Sequence, residues 1–189
     1  MSYKKSGFSL QMATLLLGFI GCAAVNVGAA SVEKSAVVDQ QGLTVVEQSA
    51  LKSAIEDYQF QELAKAIATL ERLRQKHPTN LNVLHYIALS YEESSRYSEA
   101  QGAYAQWLRY SGNRMDKDAR FAWIGMAKAY DKTKHTAMGV KLLRIWLEKH
   151  PDDYDASVVL GDMLVREKNY DGTKSLFQNM LTKKDVPDN

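Results

Sequence analysis

Cysteine is almost missing from this sequence. Cys22 is the only one in 189 residues, so no internal disulfide forms and the fold must be held by packing alone. A surplus of charge is missing too. The net charge is +2, from 24 basic and 22 acidic residues, and Lys4 and Lys5 account for all of it: 24 minus 2 leaves 22 basic residues against 22 acidic ones from Cys22 onward. A nucleic-acid binder carries a basic excess on one face, so no nucleic-acid partner is expected. Runs of like charge and low-complexity tracts are absent. A composition of 46% hydrophobic and 24% charged residues is that of an ordinary folded domain.

Signatures of chemistry are missing as well. The sequence holds no G-x-S-x-G, no G-x-x-x-x-G-K-[ST], no G-x-G-x-x-G, no H-E-x-x-H and no C-x-x-C. Its four histidines, His77, His85, His135 and His150, do not stand at metal-ligand spacing. Asp152, Asp153 and Asp155 form an acidic cluster that reads as the start of a helix, where carboxylates accept free N–H groups and meet the positive end of the dipole. Tyr104, Trp107, Trp123 and Trp146 read as core between helices rather than as a ligand cage. No catalytic residue, metal or cofactor is expected, and the chain reads as a non-enzyme.

What the sequence does have is a repeated pattern. In the stretch Leu81–Arg114, Leu84, Ile87, Ala88 and Tyr91 recur at helical spacing, and after a polar break so do Ala100, Tyr104 and Trp107. Ser98 and Gln101 have the spacing of a capping box, which predicts a second helix starting there. Gly112-Asn113 offers a left-handed residue to end it. The pattern returns over 47–80 (Ala54, Ala66, Leu70, Leu73), over 120–153 (Trp123, Met126, Ala127, Tyr130, then Gly139, Leu143, Trp146) and over 154–187 (Leu160, Gly161, Leu164, then Tyr170, Thr173, Phe177, Met180). Lys-His-Pro closes two units, with Pro78 and Pro151 73 residues apart. That is two periods of 34 plus the five residues 115–119, which belong to no unit.

A helix–turn–helix period of 34 residues, small residues at positions 8 and 20, aromatics at 11, 17 and 24 and Pro at 32, resembles the tetratricopeptide repeat. The resemblance covers 47–187 and implies an all-α fold, an α-solenoid of about four helix hairpins in a right-handed superhelix. Asp57 at position 11 of the first copy and Thr173 at position 20 of the fourth depart from the pattern and predict looser packing at both ends. In this register the inner groove is lined by positions 2, 5, 9 and 12. These are Asn82, His85, Leu89 and Glu92 in the second copy, Phe121, Ile124, Lys128 and Asp131 in the third, and Asp155, Val158, Asp162 and Val165 in the fourth. An apolar strip between charges of both signs suits an extended or helical peptide, with Phe121 and Ile124 as anchors and Lys128 and Asp131 as orienting groups. The Lys and Asn that clamp the carboxylate tails of cytosolic chaperones in some members are replaced here by His85 and Leu89, then Ile124 and Lys128.

Residues 1–30 read as a targeting segment and 31–46 as a tether. Lys4-Lys5 is followed by no charge until Glu33, and the apolar centre Met12–Val25 has the length of a signal core. Four readings stand, and all place the repeats outside the cytoplasm. Phe19-Ile20-Gly21-Cys22 resembles the bacterial lipobox, which implies lipidation of Cys22 and, with Ala23 next, an outer-membrane destination. Gly28 and Ala30 fit ordinary cleavage after Ala30. The 27 uncharged residues 6–32 are long enough for an uncleaved anchor. Lys5-Ser-Gly-Phe-Ser-Leu10 resembles a prepilin leader. Repeat lipoproteins of this kind assist pilus or secretion machines, and the resemblance implies a protein partner such as a secretin or another assembly subunit. The other reading is a periplasmic chaperone, or an accessory of translocation or cytochrome maturation, anchored in the inner membrane.

Overall fold

Among the described residues the apolar spacings become eight α-helices in four hairpins. The computed structural model describes residues 42–184, with side chains to 182; Cys22 and the targeting segment lie outside the described residues. The hairpins are α1 (Val45–Gln59) with α2 (Leu63–Lys76), α3 (Leu81–Glu93) with α4 (Tyr97–Tyr110), α5 (Arg120–Lys132) with α6 (Thr136–Lys149), and α7 (Tyr154–Arg166) with α8 (Tyr170–Lys184). The architecture is all-α, a TPR-like helical repeat, with no strand among the described residues. Each first helix after α1 packs on its own second helix, on the second helix before it and on the first helix before it, so α1, α3, α5 and α7 form one continuous layer.

Helix starts are set locally. Thr44 and Glu47 form a reciprocal capping box at α1, so that helix begins two residues before the repeat unit counted from Glu47. Asn80 and Asp153 accept the N–H of Val83 and Ala156 at α3 and α7. The residues left over between the second and third units form a short turn, with Asp116 capping a 3-10 helix Lys117–Ala119. The expected capping box at Ser98 does not form. α4 starts at Tyr97 with no side-chain cap, and the Gln101 amide instead donates to the Ala129 carbonyl at 3.0 Å and the Thr133 hydroxyl at 2.5 Å. The Gln101 side chain is thus tied to acceptors at the C-terminal end of α5 and is not turned back to its own helix start.

The turn inside each hairpin is the same device four times. Gln61, Ser95, Lys134 and Lys168 all have φ between 59° and 65°. In each turn the next residue's N–H reaches back to a carbonyl of the finished helix, as Arg96 does to Tyr91 at 2.8 Å and His135 to Tyr130 at 2.9 Å. This is the left-handed helix ending with its long return bond, here built without glycine. Gly112 and Asn113, at φ 76° and 54°, end α4 as expected from the sequence.

Small residues sit where the helices cross. Ala54, Ala88, Ala127 and Gly161 at position 8 are all buried, as are Ala66, Ala100 and Gly139 at position 20. The aromatic side chains between them are core: Tyr104, Trp107 and Trp146 are buried, and the half-buried Trp123 donates its indole N–H to the Arg114 carbonyl. Packing thins at both ends. α1 buries only Leu51 and Ala54, and no described side chain of α8 is buried. Among the described residues no helix is long and apolar enough to cross a membrane.

Candidate functional site

Among the described residues, two of the clefts open on the layer of first helices. The first, about 580 Å³, lies at the N-terminal ends of α3 and α5 and is lined by Leu81, Asn82, His85, Trp107, Arg114, Lys117, Asp118, Arg120 and Phe121. Its wall is aromatic. The His85 ring lies face to face with Phe121 at 3.9 Å and 11°, and Tyr86 flanks it at 5.0 Å. Trp107 presents its edge to Phe121 at 4.9 Å. Burial pushes the His85 pKa below the ordinary histidine value, so the ring is neutral near pH 7 and behaves as part of an apolar wall.

The rim of this cleft is charged but largely paired. Arg114 holds Asp116 and Asp118, within the inserted turn. Arg120 bonds Asp153 through two N–H groups at 2.7 and 2.8 Å and reaches Asp155 at 2.8 Å. Asp153 also accepts from the Trp146 indole at 2.8 Å and from its own helix's N–H. Burial alone would raise the Asp153 pKa, but the donors of Arg120, Ala156 and Trp146 outweigh it and hold the group at about 2. This cluster joins the third hairpin to the fourth.

The second cleft, about 410 Å³, lies across the C-terminal halves of α3, α5 and α7. Its lining includes Glu92, Glu93, Tyr97, Lys128, Asp131, Lys132, Asp162 and Arg166. Two of its carboxylates are already used. Glu92 accepts the Tyr104 hydroxyl, whose pKa is raised by burial and then by the Glu92 charge. Asp131 pairs with Arg166 at 2.6 Å and accepts from the Thr136 hydroxyl at 3.0 Å. Glu93, Lys128, Lys132 and Asp162 are exposed and face solvent with both signs of charge.

The residues expected to line one strip therefore divide. Asn82, His85 and Phe121 share the aromatic cleft, and Glu92, Lys128, Asp131 and Asp162 share the charged one. Asp155 is an exposed partner of Arg120. Leu89 is half-buried outside both clefts. Val158 and Val165 are exposed on α7 at 43% and 47%. Ile124 is 7% exposed and belongs to the core with Ala127, Val140 and Leu143, so little of its side chain opens to the groove. The first helix of the following hairpin covers its face, as the register alone does not reveal. Asp131 is already paired with Arg166 and Thr136.

Trp107, Arg114, Lys117 and Arg120 were not legible as cleft residues. The one available signal was the five-residue remainder between units, which places a charged turn beside the aromatic wall. Among the described residues no group of three or more His, Cys, Asp or Glu side chains is placed to hold a metal ion. His77 and His150 close α2 and α6 as equivalent C-caps. His77 pairs with Glu47 at 3.1 Å, and His150 reaches the Met115 carbonyl at 2.5 Å.

The tetratricopeptide repeat model matches residues 49–80. No curated protein matches the sequence. Among solved structures, a MamA double mutant (RS-1) superposes with a TM-score of 0.65 at 13% identity, covering 75% of this chain and 78% of that one. MamA 41-end from Desulfovibrio magneticus RS-1 gives 0.65 at 13%, over 74% and 78% of the two chains. YrrB, described as a TPR protein with an unusual peptide-binding site, gives 0.59 at 18%, over 72% and 67%. At these identities the likeness is one of fold.

Proposed function

We propose that this chain is a non-enzymatic adaptor that binds a segment of a partner protein along α3, α5 and α7. The observation that carries the reading is the aromatic wall of the first cleft, on the same helices α3 and α5 that line the charged one. A stacked His85–Phe121 wall with a Trp107 edge accepts one apolar or aromatic side chain, and the exposed Glu93, Lys128, Lys132 and Asp162 set direction by charge. Peptide binding in YrrB, of similar fold, supports the reading. An anchor in a preformed pocket supplies most of the affinity of such a contact, and the polar rim supplies orientation.

In this reading the adaptor works at the periplasmic side of a bacterial envelope, held at the outer membrane by a lipid on Cys22. It assists assembly of a pilus or secretion apparatus by binding a secretin or another subunit. The lipobox-like Phe19–Cys22, the charge-free stretch after Lys5 and the lack of catalytic motifs support it. A photoreactive residue at Phe121 or Lys128 tests the binding. A discrete crosslinked protein in envelopes is the expected product, lost when His85 is replaced by Asp, and no crosslinked species at either position removes the proposal. Mass spectrometry of the mature start tests the anchor: acylated Cys22 is expected, whereas a free Ser31 removes the lipid and an intact Met1 selects the inner-membrane reading.

A further inference from the structure

The four hairpins do not end alike. Position 24 of the unit carries Leu70, Tyr104 and Leu143, each 0% exposed, but Phe177 in the fourth hairpin is 37% exposed. Four residues on, Leu108 is 5% exposed and Leu181 60%. On the first helices the same contrast holds at position 5, where Leu51 and Ile124 are 7% exposed and Val158 is 43%. In the first three hairpins these places are covered by the first helix of the next one, as α3 covers α1 and α2. No described helix covers α7 and α8 in this way.

The covering helix has a constant stripe. Val83, Ile87 and Ser90 provide it in α3, and Ala156, Leu160 and Met163 in α7, at i, i+4 and i+7, all buried. α5 follows with Ala122, Met126 and Ala129. The equivalent places in α1 hold Ser49, Ser53 and Glu56, all exposed. A second copy stacked head to tail would therefore set two serines and a carboxylate on Phe177 and Leu181, which leaves the apolar surface unmatched and strips water from a charge. Every junction in this array is made through the first helix of one hairpin packed on the hairpin before it.

We propose that the α7–α8 end is a seat for an amphipathic helix of a partner protein, one presenting small or apolar residues at i, i+4 and i+7. It continues the packing that joins the four hairpins, with Val158, Val165, Phe177 and Leu181 receiving the stripe. This seat is separate from the two clefts, so it stands or falls independently of peptide binding there.

Three stapled, fluorescent 13-residue helices with the sequences of α3, α5 and α7 are the probes, titrated against the full-length chain by anisotropy. Saturable binding of at least one is expected. Leu181→Asp and, separately, Val165→Asp should weaken it about tenfold or more, since each removes a buried apolar contact. The two positions are 47% (Val165) and 60% (Leu181) exposed, so the fold is retained, as circular dichroism will register. Lys128→Glu, in the charged cleft, should leave binding unchanged. Failure of all three helices to bind, or binding indifferent to both end-face variants, overturns the proposal. So does a concentration-dependent dimer of the chain alone in sedimentation that Leu181→Asp abolishes, because the seat would then belong to a second copy.

Discussion

Gly139 stands where α6 passes close to the backbone of α5. A Cβ added there would lie 2.7 Å from the Ala127 carbonyl oxygen, and backbone cannot swing aside as a side chain would. Gly139→Ala should therefore overpack the α5–α6 crossing and cost about 1–3 kcal/mol. Gly102, on the exposed side of α4, has nothing within 4 Å of the same added atom. There the alanine only restricts the unfolded chain and favours helix, so Gly102→Ala should stabilise by about 1 kcal/mol. Urea unfolding measures both: midpoints moving in opposite directions at equal slope is the expected result.

Turns and caps join the helices at the next scale. Lys134 holds a left-handed conformation at φ 65° that costs a side-chain-bearing residue about 1 kcal/mol. Lys134→Gly removes that cost, offsets it in part by extra freedom in the unfolded chain, and should raise stability by roughly 0.5 kcal/mol, read as a small rise in melting temperature. The junction of the third and fourth hairpins depends on a charge. Asp153 is held at about 2, below the roughly 3.9 of an unfolded aspartate. A depressed folded pKa gives stability that is complete above the unfolded value and is lost as pH falls through the folded one. The junction should thus weaken between about pH 4 and pH 2, and Asp153→Asn should flatten that part of the stability curve. Arg120→Met, which removes the principal donors, should cost about 1–2 kcal/mol at pH 7 and nearly nothing at pH 2. Glu47 behaves in the same sense at the other end. The N–H and hydroxyl of Thr44, then His77, hold it at about 2.

Across the whole array, stability is a sum of hairpins and the junctions between neighbours. The centre is richest in both. α3 buries six side chains and α4 five, whereas α1 buries two. Amide hydrogen exchange should be slowest in α3–α6, faster in α1 and fastest in α8, where the end face is uncovered. Uniform protection across all eight helices would contradict the thinning of the core toward both ends. Occupation of the α7–α8 seat should slow exchange in α8 first, and occupation of the clefts should act mainly through α3 and α5.

The sequence alone determined the helices, their period and their crossings, because apolar spacing and small residues at fixed positions are written along the chain. It also marked the acidic start of α7 at Asp153 as local chemistry, and it located the leftover turn at 115–119, whereas the cap at Asn80 appeared only in the structure. The hairpin turns at Gln61, Ser95, Lys134 and Lys168 were silent, since no glycine marks their left-handed residues. Exposure was decided by the tertiary structure. Ile124 and Val158 occupy the same register position, yet one is 7% exposed and the other 43%. The Arg120–Asp153 tie and the His85–Phe121 stack likewise join residues about one repeat apart. Burial and pairing are relations between elements, and they exist only once one hairpin lies on the next.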